Sequence, residues 1–183
     1  MPERILVYGV TGSGKTKLAA ALAARTGLPW YSVDDVIGWN PGWTEVDRTE
    51  QRRRAAQICS GDRWILDTAY SHWLDVVFAR VQLVVALDYP RAVSLARLVR
   101  RTGTRLVTRS EVCNGNRESV RNALSGNSII AWHFRSFARK RARITAWAND
   151  PTAPPMVRLT SPRVTRRWLA GVQPEIPKNA AHG

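Results

Sequence analysis

The chain of 183 residues has few cysteines and no long apolar run. Cys59 and Cys113 are the only cysteines, too few for a four-cysteine zinc site, and we expect them to be reduced thiols. No run of 18 or more apolar residues occurs, so we expect no transmembrane span and no membrane partner. The N-terminus leads straight into an apolar strand pattern, without the layout of a signal peptide. These absences favour a single cytoplasmic domain with a full core.

Acidic residues are also scarce, because 14 Asp and Glu stand against 28 Lys and Arg and give a net charge of +14. The excess is concentrated between Arg91 and Arg143, where 13 basic residues and two glutamates give 13 − 2 = +11. Such a field attracts polyphosphates or nucleic acid. A solvated, arginine-rich surface is the alternative explanation for most of these residues.

Residues 9–16 read Gly-Val-Thr-Gly-Ser-Gly-Lys-Thr and fit the phosphate-binding pattern G-x-x-x-x-G-K-[ST]. Glycines let successive backbone N–H groups surround phosphate oxygens, and the following helix points its positive end at them. Lys15 can reach the β- and γ-phosphates of ATP, and the Thr16 hydroxyl can bind Mg²⁺. A strand pattern precedes the run and a helix pattern follows it. The predicted nucleotide-binding residues are Gly9, Thr11, Gly12, Ser13, Gly14, Lys15 and Thr16.

Apolar runs alternate with helical patterns along the chain, which predicts a three-layer α/β fold on a parallel sheet. Strands are predicted over 4–8, 30–33, 63–67, 82–88 and 155–159, and helices over 15–26, 47–59, 71–79, 90–102, 118–148 and 162–170. One domain is expected over 1–172. A mobile basic lid is expected at about 103–118, and a flexible tail over 173–183.

Aspartates follow two of the predicted strands. Asp34 and Asp35 follow the second, and Asp67 ends the third in the pattern of a Walker B carboxylate. Ligands of doubly wound sheets bind beyond the carboxyl ends of strands. We expect Asp34 to orient an acceptor hydroxyl, with helix capping as the alternative, and Asp67 to bind Mg²⁺ with Thr16. Thr68 follows Asp67 where motor ATPases place a water-activating Glu, which argues against that class.

Two sets of arginines share helix faces: Arg97, Arg100 and Arg101, and then Arg135, Arg139 and Arg143. Phosphoryl transfer requires cations around the migrating group. The predicted catalytic residues are Lys15, Asp34, Arg97, Arg101 and Arg135. Residues 39–43 place two tryptophans in a Pro/Gly loop, which either stack on a planar ligand or close over the core. The three histidines have no partner that the sequence identifies, and we expect them to be structural or exposed.

These residues together resemble the adenylate kinase superfamily of small nucleotide kinases. The resemblance rests on the N-terminal P-loop, on Asp67 after a third strand, and on Asp-Tyr-Pro at 88–90 before an arginine helix. A narrower resemblance, to bacterial topology modulation proteins, rests on Val-Asp at 33–34, Pro-Gly-Trp at 41–43, Trp-Ile-Leu-Asp-Thr-Ala-Tyr at 64–70 and Gly-Asn-Arg-Glu at 115–118. It implies an ATP-dependent kinase fold with strand order 2-3-1-4-5. The Asp-Gly-Phe-Pro-Arg of adenylate kinases is replaced at 67–71, so AMP is not implied as the acceptor.

The leading hypothesis is a monomeric P-loop kinase that uses Mg²⁺ and ATP to phosphorylate a small-molecule acceptor, nucleotide-like acceptors included. The rival is a nucleic-acid-associated NTP-binding protein that uses the basic half of the chain for phosphate backbones. An NTP-binding regulator without efficient chemistry is a third hypothesis. The kinase hypothesis allows weak, non-specific nucleic-acid binding as a by-product of the charge.

Overall fold

A computed structural model describes residues 1–108, 111–112, 116–117 and 129–173. Its centre is a sheet of five parallel strands: β1 (Arg4–Gly9), β2 (Trp30–Tyr31), β5 (Trp64–Leu66), β6 (Leu83–Leu87) and β9 (Met156–Leu159). The strand order is β2-β5-β1-β6-β9. The labels differ from the predicted 2-3-1-4-5 because β3, β4, β7 and β8, which are numbered in chain order, belong to two small hairpins outside this sheet. Counted within the sheet alone, the order is 2-3-1-4-5.

The two hairpins lie outside the sheet. One pairs β3 (Trp39–Asn40) with β4 (Thr44–Glu45), and the other pairs β7 (Glu111–Val112) with β8 (Asn116–Arg117). The backbone of β8 lies close to a 3₁₀ turn over Pro41–Trp43. The six helices of the described chain are α1 (Lys15–Thr26), α2 (Arg48–Cys59), α3 (Leu74–Phe78), α4 (Arg91–Thr108), α5 (Ile129–Asn149) and α6 (Pro162–Gly171).

The strands are buried on both faces, which explains their continuous apolar sequences. Successive side chains of a strand point to opposite faces. Leu6 and Tyr8 of β1 therefore pack in a core with α2, α3 and α5. Ile5 and Val7 pack in a second core with α1 and α6. The sheet thus forms the middle layer of three, as predicted, and its carboxyl edge carries the loop over 9–16.

Two predicted helices differ from the structure, at the end of α4 and at the start of α3, where Ser71–Trp73 form a 3₁₀ turn before Leu74–Phe78. Helix α4 continues to Thr108, so residues 103–108 of the expected lid are helical. The helix passes Gly103 with Thr102 buried, and the hydroxyls of Thr104 and Thr108 bond to carbonyl oxygens four residues earlier. The predicted helix over 118–148 is described from Ile129 onward. Residues 109–110, 113–115, 118–128 and 174–183, with most of the expected lid and tail, lie outside the described residues.

None of the helices that the structure describes is both long and apolar enough to span a membrane.

Candidate functional site

The loop between β1 and α1 has the backbone that its glycines allow. Gly9, Gly12 and Gly14 have φ of +155°, +82° and +99°, values that side chains strongly disfavour. A Cβ on Gly12 would lie 2.3 Å from the Ser94 carbonyl oxygen of α4, and one on Gly9 would lie 2.8 Å from that of Leu87. Glycine is therefore required here both by conformation and by the close approach of α4 and β6.

Lys15 begins α1 and lies at the mouth of the loop. Its Nζ donates a hydrogen bond to the Val10 carbonyl oxygen at 3.1 Å, an oxygen that also accepts from the Ser13 hydroxyl at 2.7 Å. Burial lowers the pKa of Lys15, the carboxylates of Asp67 and Asp34 oppose this, and the charge of Arg101 adds to it. The ammonium is thus held inside the loop without an ion-paired carboxylate among the described residues.

Thr16 and Asp67 meet as the sequence predicted. The Thr16 hydroxyl donates to Asp67 Oδ2 at 2.6 Å, and Asp67 Oδ1 accepts from the Val33 backbone N–H at 2.9 Å. Burial raises the pKa of Asp67, against the lowering effect of these hydrogen bonds and of Lys15. A hydroxyl and a carboxylate oxygen are hard ligands of the kind that Mg²⁺ takes. Within the described ranges no cluster of three His, Cys, Asp or Glu could hold a metal ion.

Asp34 opens a π-helical turn (Asp34–Gly38) directly after β2. The Tyr70 hydroxyl donates to Asp34 Oδ1 at 2.5 Å, and the turn has no side-chain cap. The charge of Asp34 acts on Lys15 and Asp67, so this exposed carboxylate faces the loop, and the helix-cap alternative finds no support.

The two tryptophans of residues 39–43 lie beside this turn. The rings of Trp39 and Trp43 meet edge to face with centroids 5.9 Å apart, and 37% of Trp43 is exposed. Trp43 also has φ of +57°, unusual for a large side chain. The loop therefore presents aromatic surface to solvent next to Asp34.

The predicted arginines divide into two groups. Arg97 donates from Nη1 to the Ser13 carbonyl oxygen at 3.0 Å and lies over the Tyr89 ring. Arg101, one turn later, is close enough for its charge to affect Lys15. Arg135 instead is exposed and forms no hydrogen bond or ion pair with any described residue. The structure thus brings Arg97 and Arg101, but not Arg135, to the loop.

Helix α5 supplies three site residues, of which the sequence indicated only Arg143, as a member of an arginine repeat. His133, fully buried, donates from Nδ1 to the Thr11 carbonyl oxygen at 3.0 Å; the carbonyl accepts, so this nitrogen carries the proton. Lys140 Nζ donates to the Gly9 carbonyl oxygen at 3.3 Å. Arg143 donates to the Ser71 hydroxyl at 3.1 Å and weakly to that of Tyr8 at 3.4 Å. His133, Lys140 and Arg143 are spaced by seven and then three residues, which places them on one face of a helix, and this spacing was the signal available in the sequence.

Asp88, after β6, ties α5 to the sheet. Arg158 of β9 donates from Nε to Asp88 Oδ2 at 2.8 Å, and Arg141 of α5 approaches Oδ1 at 3.3 Å. Asp88 is almost fully buried, so this pairing compensates a charge that burial would otherwise penalise. The pairing fixes α5 over the carboxyl edge of the sheet, where its polar residues meet the loop.

No family model matches the chain, and no curated protein is similar to it in sequence. Solved structures do match almost its whole length. A gluconokinase from Sinorhizobium meliloti 1021 superposes with a TM-score of 0.53 at 18% identity, over 93% of this chain and 91% of that one. A shikimate kinase from Bacteroides thetaiotaomicron gives a TM-score of 0.57 at 13% identity, over 93% and 96%. The fold is that of the P-loop small-molecule kinases.

A deoxyadenosine kinase from M. mycoides with bound dCTP also matches, with a TM-score of 0.51 at 11% identity, over 91% of this chain and 96% of that one. The three similar proteins phosphorylate different acceptors, as their names state. At these identities they establish the fold of this chain and leave its acceptor open. The narrower resemblance to topology modulation proteins has no support among these matches.

Proposed function

We propose that this protein is an ATP-dependent kinase that transfers the γ-phosphoryl group to a hydroxyl of a small molecule. The observation that carries the proposal is the convergence of Lys15, the Thr16–Asp67 pair and Asp34 at one edge of the sheet. These groups are the parts that phosphoryl transfer requires, because positioning and charge stabilisation supply most of its catalysis.

The nucleotide side follows from the loop. Its backbone N–H groups and Lys15 would hold the β- and γ-phosphates, and Arg97 and Arg101 would add positive charge beside them. Thr16 and Asp67 fit Mg²⁺ by their oxygen atoms and their place at the loop. Mg²⁺, when bound, neutralises charge that develops on the phosphate oxygens.

The acceptor side follows from Asp34. Its carboxylate lies after β2, is held by Tyr70, and faces Lys15. In this position it would accept a hydrogen bond from the acceptor hydroxyl, orient its oxygen toward the γ-phosphate and receive its proton. Gluconokinase and shikimate kinase share the fold, which favours a hydroxylated small molecule as the acceptor.

Hydrolysis without an acceptor should be slow. Thr68, next to Asp67, is buried and carries no carboxylate that would activate water. A kinase benefits from this arrangement, because water that attacks ATP competes with the acceptor hydroxyl.

Calorimetry of Mg·ATP binding tests the nucleotide half. Lys15→Ala should weaken binding at least about tenfold, since charge-assisted contacts contribute roughly 1.5–3 kcal/mol. Lys17→Ala, an exposed lysine one position beyond the motif, should bind like the parent and is the matched control. Unchanged affinity in folded Lys15→Ala would refute the assignment.

Asp67→Asn tests the metal half. The amide keeps the shape but removes the charge: its oxygen can still accept from the Val33 N–H, and its NH2 group would donate to the Thr16 oxygen, which reverses that hydrogen bond. The gain in ATP affinity on adding Mg²⁺ should shrink, while affinity for ATP without metal should not fall. An Mg²⁺ effect equal to the parent's would remove Asp67 from the metal site.

A further inference from the structure

Lys140 is a partly buried lysine of α5 that contacts the start of the loop over 9–16. Its Nζ contacts the Gly9 carbonyl oxygen at 3.3 Å and lies 5.4 Å from the centre of the Tyr8 ring. No carboxylate of the described residues forms an ion pair with it. A carbonyl dipole and a ring face compensate an ammonium less well than a carboxylate does. An anion at this place would compensate the Lys140 ammonium better than these two contacts do.

The four charged groups and the aromatic ring that face Lys140 come from four parts of the chain. Lys15 belongs to α1, Asp34 follows β2, Arg139 and Arg143 share α5 with it, and the Tyr8 ring belongs to β1. One carboxylate thus faces three other cations. Burial first, and then the charge of Lys15, lowers the pKa of Lys140 to about 7. Among the groups that act on Lys140, positive charges therefore outnumber negative ones.

The position of Lys140 relates it to the acceptor side. Its neighbour on the helix face, Arg143, bonds to the Ser71 hydroxyl. Ser71 follows Tyr70, whose hydroxyl holds Asp34. The charges of Lys15, on the phosphate side, and of Asp34 both act on Lys140, so it is near both groups.

We propose that Lys140 is a specificity-determining residue that binds an anionic group of the acceptor, a carboxylate or a phosphate, beside the hydroxyl that is phosphorylated. This inference rests on the proposed kinase function and narrows its substrate class to hydroxylated acids and phosphate esters. An acceptor anion supplies the missing counter-ion, and it does so only when the substrate is in place. Neutral polyols and unmodified nucleosides would leave the ammonium uncompensated.

A proton accompanies such binding. Because its pKa is lowered to about 7 by burial and by the charge of Lys15, Lys140 is largely neutral at pH 8, and a bound anion favours its charged form. Binding an anion at this pH therefore takes up a proton from solution, and affinity falls as the pH rises above about 7. Arginine in its place would stay charged and bind without proton uptake.

Sulfate is a suitable probe, because it is a divalent anion that does not itself titrate near pH 8. Calorimetry measures its binding to the protein saturated with Mg·AMP-PNP, a non-hydrolysable ATP analogue that fills the nucleotide side. Two buffers of different ionisation enthalpy report the proton uptake. We expect sulfate to bind about tenfold more weakly to Lys140→Met and to bind Lys140→Arg as it binds the parent. Summed over nucleotide and sulfate binding, the parent should take up more protons than Lys140→Arg. Lys17→Met, at an exposed lysine, should behave like the parent.

The outcomes separate the two proposals. Sulfate that binds equally to the parent and Lys140→Met, or not at all to the saturated parent, overturns the role of Lys140 but not the kinase function. Sulfate that binds with Mg·ADP yet not with Mg·AMP-PNP assigns Lys140 to the γ-phosphate and overturns the acceptor proposal. Failure of Mg·AMP-PNP itself to bind overturns the kinase function and, with it, this inference. A melting temperature for Lys140→Met at or above the parent's verifies that the variant is folded.

Discussion

Gly12 occupies the most confined position among the loop glycines. Its φ of +82° excludes most side chains, and the Ser94 carbonyl oxygen leaves no room for a Cβ. Gly42, in the turn between β3 and β4, has nearly the same φ of +78° but nothing within 4 Å of a built Cβ. The two positions thus share a conformational requirement and differ only in the steric one.

Alanine substitutions at these two glycines separate the cost of a left-handed backbone conformation from the cost of a steric clash with α4. Gly42→Ala should lower the free energy of unfolding by about 1–2 kcal/mol, the usual cost of a left-handed side chain. Gly12→Ala adds a backbone collision and should cost about 3 kcal/mol or more, with loss of Mg·ATP binding. Urea denaturation with calorimetry measures both. Equal destabilisation of the two variants would mean that α4 moves away from the loop without penalty.

The placement of candidate site residues could be predicted where a local motif carries it. Lys15, Thr16 and Asp67 were identified because each follows an apolar strand in a fixed pattern. Lys140 and His133 were not identified, because their partners Gly9 and Thr11 lie more than 120 positions away in the chain. The repeat of Arg135, Arg139 and Arg143 led instead to the prediction of Arg135, which lies on an exposed face of the same helix.

Helix α5 links the loop to the core along its whole length. His133 contacts the loop near the start of the helix, Ile144 is buried in the core, and Trp147 packs with its ring centroid 4.7 Å from both Tyr8 and Phe78. His133 Nε2 is buried without a hydrogen-bond partner in the described structure. Burial lowers the pKa of His133 below its ordinary value of 6.5, and Arg91 lowers it further.

This burial predicts a dependence of stability on pH. The unfolded chain binds a proton at His133 more readily than the folded one, so the stabilising contribution is present above pH 6.5 and is lost as the pH falls below it. His133→Asn keeps a donor for the Thr11 carbonyl but cannot titrate. Chemical denaturation at pH 8 and pH 5 should give a larger loss in the parent than in His133→Asn. Equal losses would show that His133 does not titrate on unfolding.

The extents of the elements were predictable where the apolar pattern is continuous. Helix α1 has the predicted bounds, and the strands agree within one or two residues at each end. Helix α4 was predicted too short, since Gly103 and the polar residues after it indicated a loop. Contacts along the helix, with Thr102 buried, outweigh the low helix propensity of one glycine.

For the whole molecule, the kinase hypothesis and its nucleic-acid-binding rival differ in what the net charge of +14 binds. Arginines that face a cleft cannot also follow a duplex backbone, and the structure places Arg97 and Arg101 by the loop. We expect weak, sequence-independent DNA binding whose log affinity falls with log salt by about 0.9 per phosphate contact. It should vanish at physiological salt, and DNA should not increase ATP turnover.

Fluorescence anisotropy with a labelled duplex across a salt series, together with an ATPase assay with and without DNA, measures both quantities. Tight duplex binding at physiological salt, or a large rise in ATP hydrolysis with DNA, would favour the rival. The net charge of +11 over residues 91–143 predicted a polyanion as ligand but not its kind. The sequence does not reveal which arginines share a cleft, because that depends on how α4 and α5 pack.

The hairpin β3–β4 contributes no strand to the five-stranded sheet, although it lies within the segment that joins β2 to α2. Only a few of the residues in this segment, Val33, Ile37 and Val46 among them, are anchored in the interior. Val33 and Asp34, at the start of the segment, are tied to Asp67 and Tyr70 by hydrogen bonds, whereas the hairpin itself forms no part of the sheet. Substitutions confined to the hairpin over residues 39–45 would therefore leave Asp34, the sheet and the loop over 9–16 in place, so this hairpin is where related chains can differ most freely.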